Sequence, residues 1–113
     1  MKNGHFDEHW TFPGDATIVT GGVACGRGFT ISWQNGPLGR GNERKEPNGA
    51  FVEDVIEAAQ RRLEAFQSSK FACSENERAI KALGDALEAL DERTKLRDNK
   101  GVEGTYDIVG PEE

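Results

Sequence analysis

The chain has 113 residues and a formal net charge of −6, which limits both its size class and its partners. One domain of this length has room for a modest hydrophobic core, and assembly of several copies would help to stabilise it. The acidic balance argues against general binding to DNA, RNA or an anionic membrane, although a local basic cluster could still hold one small phosphate ligand.

Targeting and redox signals indicate a reduced intracellular protein. No apolar run is long enough to cross a membrane, and Met1–Pro13 lacks the apolar centre of a secretory signal. Cys25 and Cys73 are too few for a disulfide framework and fit free thiols, with one disulfide between them as the alternative. We therefore expect the protein to stay in the cytoplasm where it is made.

The first segment, residues 1–15, mixes polar and aromatic side chains without a clear period, so we expect a loosely ordered arm. It contains both histidines of the chain, in the sequence His5-Phe6-Asp7-Glu8-His9. Their spacing matches no closed structural metal site, and no further Cys or His lies nearby. We expect surface histidines and no metal; a metal-dependent phosphodiesterase using His5, Asp7 and His9 is the enzymatic alternative.

The next segment is predicted to hold a small antiparallel sheet followed by a loop. Ala16–Thr20 is β-prone, Gly21-Gly22 is a turn signal, and alternating apolar residues at 29–33 predict a last strand. Glycines at positions 26 and 28 predict a second turn before that strand. Residues 35–49 are rich in Gly and Pro, which is typical of a loop.

Two amphipathic helices are predicted next, because apolar residues recur at steps of three and four. The first should run from about Ala50 to Ser68, with the stripe Val52, Ile56, Ala59, Leu63 and Phe66. The second begins at Ser74, where Ser74 and Glu77 form a capping-box pattern, and its stripe is Ile80, Leu83, Leu87, Leu90 and Thr94. The short connection predicts antiparallel neighbours.

The expected fold class is therefore α+β, with a small N-terminal antiparallel β-sheet followed by a C-terminal two-helix antiparallel hairpin. We expect one domain over residues 1–113. Within it, the β region and loop occupy 16–49, the hairpin and a C-terminal loop occupy 50–106, and a tail occupies 107–113.

The second apolar stripe, extended in both directions, reaches polar residues at its two ends. Asn76 lies four residues before Ile80, and Arg97 lies at the far tip with Arg93 one turn earlier on the same side. Each has an ordinary explanation: arginines near a helix C-terminus gain about 0.3–1 kcal/mol from the helix dipole, and Asn76 could bond backbone at the helix start. Phe66 could equally be a core aromatic. No phosphate-binding loop or catalytic triad pattern occurs, so we expect no enzyme.

Several segments together resemble one family of small phage proteins. They are Phe29–Arg40, Pro47–Ile56, Lys70–Asn76 and Arg93–Thr105. These segments resemble the phage Thoeris anti-defence signal sponges, which share a helical-hairpin domain with the phage anti-CBASS cyclic-nucleotide sponges. The resemblance covers about Phe29 to Tyr106.

The resemblance implies a sponge that binds glycocyclic ADP-ribose signals from bacterial TIR enzymes without cleaving them, in the cytoplasm of the infected host and without a cofactor. Some members also hold CBASS cyclic oligonucleotides in separate pockets at oligomer axes. By motif position, the adenine-contacting aromatic is Phe66, the polar contact is Asn76, and the phosphate-binding arginines are Arg93 and Arg97. The second-pocket arginine falls at Arg40 or Arg44.

Helix geometry adds an expectation about assembly. Phe66 and Asn76 lie at the turn of the hairpin, whereas Arg93 and Arg97 lie roughly 25–30 Å away along the second helix. One chain cannot bring both groups around one small ligand, but an antiparallel homodimer can. Dimer and hexamer both stay open, and a break at Gly84 would undo the argument.

The C-terminal loop 101–106 is the expected source of further ligand contacts. Its backbone N–H groups, including that of Gly104, and the hydroxyl of Thr105 could close over the ligand. Two alternatives remain on the residues alone: a sponge for cyclic di- or trinucleotides, and a protein-interaction module that occupies a partner protein.

Overall fold

The computed structural model describes residues 5–107, which divide into two compact units. The sheet unit comprises residues 5–51 and 100–107, and the helical unit comprises Val52–Asn99. A three-stranded antiparallel sheet precedes two helices, so the predicted α+β class is confirmed. That the whole chain forms one domain stays a prediction. The loop 101–106, which we expected to accompany the hairpin, groups with the sheet unit.

The sheet consists of β1 (Phe6–Phe12), β2 (Asp15–Gly26) and β3 (Phe29–Ser32), in the spatial order β1-β2-β3. Two-residue turns connect the strands, and each turn has glycine as its second residue: Gly14 at φ 87° and Gly28 at φ 80°. Glycine adopts this left-handed conformation without the steric cost that a Cβ would add. The predicted turn before the last strand is confirmed.

Two expectations for the N-terminal half were wrong. Phe6–Phe12, assigned to a loose arm, forms β1, while residues 1–4 of that arm lie outside the described residues. The pair Gly21-Gly22 is no turn: it lies buried inside β2, opposite Trp10 and His9. A Cβ on Gly22 would collide with the backbone carbonyl of Glu8. Gly22 therefore allows the β1 backbone to approach β2 closely, while Gly21 makes room for Asn35.

The helical unit contains α1 (Val52–Gln67) and α2 (Ser74–Asn99), within two residues of the predicted starts and ends where these were given. The predicted capping box at Ser74 was wrong, because Ser74 is already the first residue of the helix. Cys73 caps α2 instead: its carbonyl accepts from the Glu77 N–H at 3.2 Å, and its Sγ accepts from the Asn76 N–H at 3.5 Å.

Glutamine side chains tie α1 to α2 and fix their register. Gln60 Nε2 donates to the Ile80 carbonyl at 3.2 Å, and Gln67 Nε2 donates to the Cys73 carbonyl at 2.9 Å. In both pairs the residue numbers add up to 140, so the helices run antiparallel with a constant register. Val52 is then level with Glu88, and Ala89–Asn99 of α2 extends past the start of α1 by roughly 16 Å.

The apolar stripes of the hairpin are incompletely covered. Neither α1 nor α2 contains a buried residue. The side chains of Val52 and Phe66 are 50% and 42% exposed, and Ala24 of the sheet is the one buried hydrophobic residue of the described chain. Layers of secondary structure are stable when apolar faces pack against each other. The described helices therefore keep an apolar stripe that a further layer would cover.

Candidate functional site

The turn end of the hairpin presents an aromatic ring with a cation above it. Phe66 lies in the last turn of α1, and the Cζ atom of Arg62 lies 5.4 Å from the centre of its ring. A guanidinium in this position is attracted to the electron-rich face of the ring. Phe66 is thus no buried core aromatic within this chain, and part of its ring remains open to a ligand.

Hydrogen bonds hold the turn that follows Phe66 in a defined shape. The Ser69 hydroxyl donates to the Phe66 carbonyl at 2.5 Å and accepts from the Phe71 N–H at 3.1 Å. Asn76 Nδ2 donates to the Phe71 carbonyl at 3.4 Å. Asn76 therefore bonds backbone near the helix start, as its ordinary explanation proposed. Its amide oxygen is a separate acceptor group that a ligand could use.

Arg93 and Arg97 lie on the section of α2 that extends past α1. Neighbours three or four residues apart share a helix face, and no acidic residue stands at that spacing from either arginine. Lys95 lies between them and is 3.0 Å from Asp91, a contact that raises the pKa of Lys95 through its hydrogen bond and its charge.

The described chain keeps the turn and the two arginines far apart. Asn76 and Arg93 are separated by 17 residues of one uninterrupted helix, which is roughly 26 Å. The helix break at Gly84 that would have undone this distance argument does not occur. Gly84 lies inside α2, where an added Cβ would be 3.3 Å from Gln60 Nε2 of the facing helix. Phe66 and Asn76 thus lie near the turn of the hairpin, and Arg93 and Arg97 lie near the C-terminal end of α2, so the described chain does not bring all four residues together.

The sheet unit holds a second basic group, which we name the arginine–Glu103 cluster: Arg40, Arg44 and Glu103. Arg44 Nη1 lies 2.6 Å from Glu103 Oε1. Arg40 Nη1 donates to the Glu103 carbonyl at 2.8 Å and lies 3.9 Å from the same carboxylate oxygen. Glu103 could not be singled out from the sequence, because its contacts with the arginines cross about sixty residues and leave no local pattern.

Gly104 and Thr105, proposed as ligand contacts, take part in the structure of the loop. The Gly39 N–H donates to the Gly104 carbonyl at 2.8 Å. Gly104 has φ 81°, and an added Cβ would lie 2.5 Å from the Gly39 carbonyl oxygen. The Thr105 hydroxyl donates to the Val102 carbonyl at 2.6 Å and accepts from the Asp107 N–H at 3.1 Å. The loop is thus packed onto the segment that carries Arg40 and Arg44, and its closure over a ligand stays a prediction.

The histidines and cysteines do not combine into a further site in the described residues. His9 Nε2 lies 3.6 Å from Asp7 Oδ2, and the His5 ring lies 6.0 Å from that of Phe29. No group of three or more metal-binding side chains occurs within residues 5–107. Cys25 and Cys73 are free thiols. Over the same residues, neither helix combines the length and the hydropathy that crossing a membrane requires.

Comparisons with known proteins identify relatives of this chain. Residues 27–95 match the family described as Acb2/Tad1, hairpin domain. Over 99 residues the chain is 37% identical to "Thoeris anti-defense 1" of Bacillus phage SBSphiJ7, and the alignment covers 88% of this chain and 67% of that protein. The family match includes Arg40, Arg44, Phe66, Asn76 and Arg93 and ends before Arg97.

Proposed function

Because this chain belongs to the Acb2/Tad1 hairpin family of Thoeris anti-defence sponges, we propose that it binds glycocyclic ADP-ribose and holds it intact. It would act in the cytoplasm of the infected bacterial host, where removal of the signal prevents activation of the Thoeris effector. The protein is then a stoichiometric binder and not an enzyme.

The observation that carries this proposal is the setting of Arg93 and Arg97. Arg93 and Arg97 lie four residues apart, so both guanidinium groups project from one side of α2 near its C-terminal end. Guanidinium groups recognise phosphate oxygens through charge-assisted hydrogen bonds. A pair of arginines set up this way suits the diphosphate of a cyclic ADP-ribose.

Energies indicate that this pair needs further contacts. Each charge-assisted hydrogen bond contributes roughly 1.5–3 kcal/mol net, and stacking of a base on Phe66 contributes about 1–3 kcal/mol. Two arginines and one ring give about 4–9 kcal/mol, whereas nanomolar capture requires about 12 kcal/mol. We assign the remainder to Asn76 and to the loop residues Gly104 and Thr105.

The site is proposed to lie between two copies of the chain. Along the continuous α2, the turn and the arginine pair are too far apart for one small ligand to reach both. In an antiparallel homodimer a two-fold axis places the turn of one protomer beside the arginine pair of its partner, which creates two equal sites. The incompletely covered stripes of α1 and α2 supply apolar surface for such an assembly.

Mixing two defective variants tests this geometry. Phe66→Ala and Arg97→Ala homodimers each have two damaged sites. A mixed dimer would have one site with both defects and one intact site formed by Phe66 of one protomer and Arg97 of its partner. After subunit exchange at equal amounts, about a quarter of the sites should regain wild-type affinity in titration calorimetry. Absence of regained sites, with mixed dimers visible by native mass spectrometry, would contradict a shared site.

Recovery of the ligand tests the class of protein. The protein is incubated with glycocyclic ADP-ribose, separated from free ligand and denatured by heat, and the released material is chromatographed. A sponge returns the starting compound in a fixed ratio to protein. Conversion to a linear product would identify an enzyme, and a thermal-shift screen that shows no nucleotide response would favour the protein-interaction module.

A second ligand is favoured by the arginine–Glu103 cluster. Arg40 and Arg44 lie in the sheet unit, and they are a different pair from the arginines of α2. We propose that they contact cyclic di- or trinucleotides in a separate pocket, formed where dimers assemble into a hexamer. Native mass spectrometry with both ligand types gives subunit number and stoichiometry together. Arg93→Ala should weaken the binding of glycocyclic ADP-ribose and leave that of the cyclic oligonucleotide unchanged, and an equal loss of both would contradict two separate pockets.

A further inference from the structure

The two arginines of the arginine–Glu103 cluster already hold an anion, and that anion belongs to the chain itself. Glu103 Oε1 receives Arg44 Nη1 at 2.6 Å, and Arg40 binds the carbonyl of the same residue. Glu103 is 24% exposed, whereas the acidic partners in the helical ion pairs are at least 52% exposed. The contact is thus more sheltered than the ordinary surface ion pairs of this protein.

The same contacts attach the C-terminal loop to the sheet unit. The loop is held to the segment 39–44 by the Glu103 carboxylate, by the Glu103 carbonyl and by the Gly104 carbonyl. Two of these three acceptors bind an arginine of the cluster. Any group that takes over Arg40 and Arg44 therefore removes two of these three contacts between the loop and the segment.

We propose that Glu103 is an internal competitor at an anion site formed by Arg40 and Arg44, and that a polyphosphate ligand must displace it and thereby release loop 101–106. A carboxylate and a phosphate present similar oxygen acceptors to a guanidinium. A monoanion only exchanges one unit of negative charge for another. A ligand with two phosphate groups brings more charge than the carboxylate it replaces, so the site selects polyphosphates over monoanions.

This inference rests on the proposed function only for the natural ligand, a cyclic nucleotide with at least two phosphates. The site itself is tested with inorganic pyrophosphate in metal-free buffer. Glu103→Gln keeps the size of the side chain and an acceptor oxygen but removes the competing charge. Glu43→Gln is the matched control, because it makes the same charge change between Arg40 and Arg44 in sequence.

Titration calorimetry on the full chain compares wild type with both variants. We expect Glu103→Gln to bind pyrophosphate about tenfold more tightly, the equivalent of one charge-assisted hydrogen bond that no longer has to be broken. Glu43→Gln should change the affinity less than about twofold, which is the scale of weak exposed charge interactions. Adding Arg44→Ala to Glu103→Gln should abolish the gain.

Hydrogen exchange of wild-type protein provides a second measurement that needs no variant. Saturating pyrophosphate should speed amide exchange in residues 101–107, because the loop loses its arginine contacts. Slower exchange in this loop would overturn the proposed release. Equal tightening by both glutamate variants would reduce the effect to general electrostatics, and weaker binding by Glu103→Gln would make Glu103 a positioning residue.

Pyrophosphate binding at Arg40 and Arg44 and capture of a cyclic nucleotide can fail independently of each other. If wild type and Glu103→Gln bind no pyrophosphate at millimolar concentration, the anion site is wrong even where glycocyclic ADP-ribose is captured through Arg93 and Arg97. If pyrophosphate behaves as expected but no cyclic nucleotide is captured, the proposed function is wrong and the competitor role of Glu103 stands.

Discussion

The sheet unit and the helical unit each hold a pair of arginines four residues apart, but different residues surround the two pairs. In the sheet unit, Arg40 and Arg44 converge on Glu103, which the chain supplies from a distant segment. In the helical unit, Arg93 and Arg97 lie on a helix face without an acidic neighbour at the spacing of one turn. On our proposals, the same residue type therefore serves two anion sites, and only the one in the sheet unit must first release a carboxylate of the chain itself.

The two units also differ in what holds them together. The sheet depends on close backbone approach at Gly21 and Gly22 and on loop hydrogen bonds over long sequence distances. The hairpin depends on glutamine contacts and a half-covered apolar stripe. We expect changes in the sheet unit to act locally and changes in α2 to act on ligand capture.

The largest effect is expected from the arginine pair of α2. Arg93→Ala and Arg97→Ala should each weaken glycocyclic ADP-ribose binding by about 10- to 100-fold, because each removes a charge-assisted phosphate contact. Lys95→Ala is the matched control: it removes the same charge from the same turn, but Lys95 is engaged by Asp91. Titration calorimetry measures the affinities, and equal losses in all three variants would mean that only net charge matters.

A smaller effect is expected from alanine substitutions at the two glycines of the C-terminal loop. Comparing them distinguishes a loss of close packing from strain in the backbone. Gly101 and Gly104 have nearly equal φ angles of 76° and 81°. An added Cβ meets nothing within 4 Å at Gly101 but would clash with the Gly39 carbonyl at Gly104. Both alanine variants carry the conformational strain, roughly 1–2 kcal/mol, and only Gly104→Ala adds the clash. Faster hydrogen exchange in residues 101–107 should be larger for Gly104→Ala, and equal changes would contradict the packing argument.

Within the hairpin, Gly84→Ala should raise stability slightly. Alanine favours a helix interior over glycine by about 0.5–1 kcal/mol. The new methyl would press on Gln60 Nε2, the flexible end of a side chain, and weaken its bond to Ile80. We expect a net gain of less than about 1 kcal/mol, seen as a higher melting temperature. Ala82→Gly, at an exposed position of the same helix, should lower it; a loss of stability in Gly84→Ala would show that Gln60 cannot adjust.

The smallest effect concerns the turn of the β1–β2 hairpin. The Thr17 hydroxyl and N–H both bind Asp15, and these hydrogen bonds lower the pKa of Asp15 below its ordinary value of 3.8. A lowered pKa in the folded state stabilises the fold above the unfolded value, and this contribution disappears as the pH falls through the folded value. The melting temperature of Asp15→Asn should lie slightly below that of wild type at pH 6, and the gap should close below about pH 3. If the difference in melting temperature persists in acid, it is caused by the changed shape of the side chain and not by its charge.

The helices were predictable because their signals are local. Apolar residues at steps of three and four placed α1 and the start of α2 within two residues of the structure. The strand β1 was not predictable in this way, since it is defined by pairing with β2. The pair Gly21-Gly22 has the composition of a turn, and only the approach of Glu8 shows that it belongs to a strand.

The candidate sites follow the same rule. Arg93 and Arg97 stood out by their spacing on one helix, and Asn76 by its place at the helix start. Glu103 has no such signal, because it reaches its arginines only after the chain has passed through both helices. The stripe pattern predicts an apolar helix face but does not show whether another element covers that face. In the described chain, Val52 and Phe66 remain about half exposed.

Because α2 is one continuous helix, its length fixes both the distance and the relative orientation of Asn76 and Arg93, and these can change only in steps of one residue. Inserting or deleting one residue between Asn76 and Arg93 would rotate the distal guanidinium groups by about 100° around the axis and turn them away from their present side. Only changes near seven residues would restore the orientation, and each would shift the reach by about 10 Å. Variants of this chain would therefore adapt to larger or smaller ligands more readily by changing side chains than by changing the length of α2.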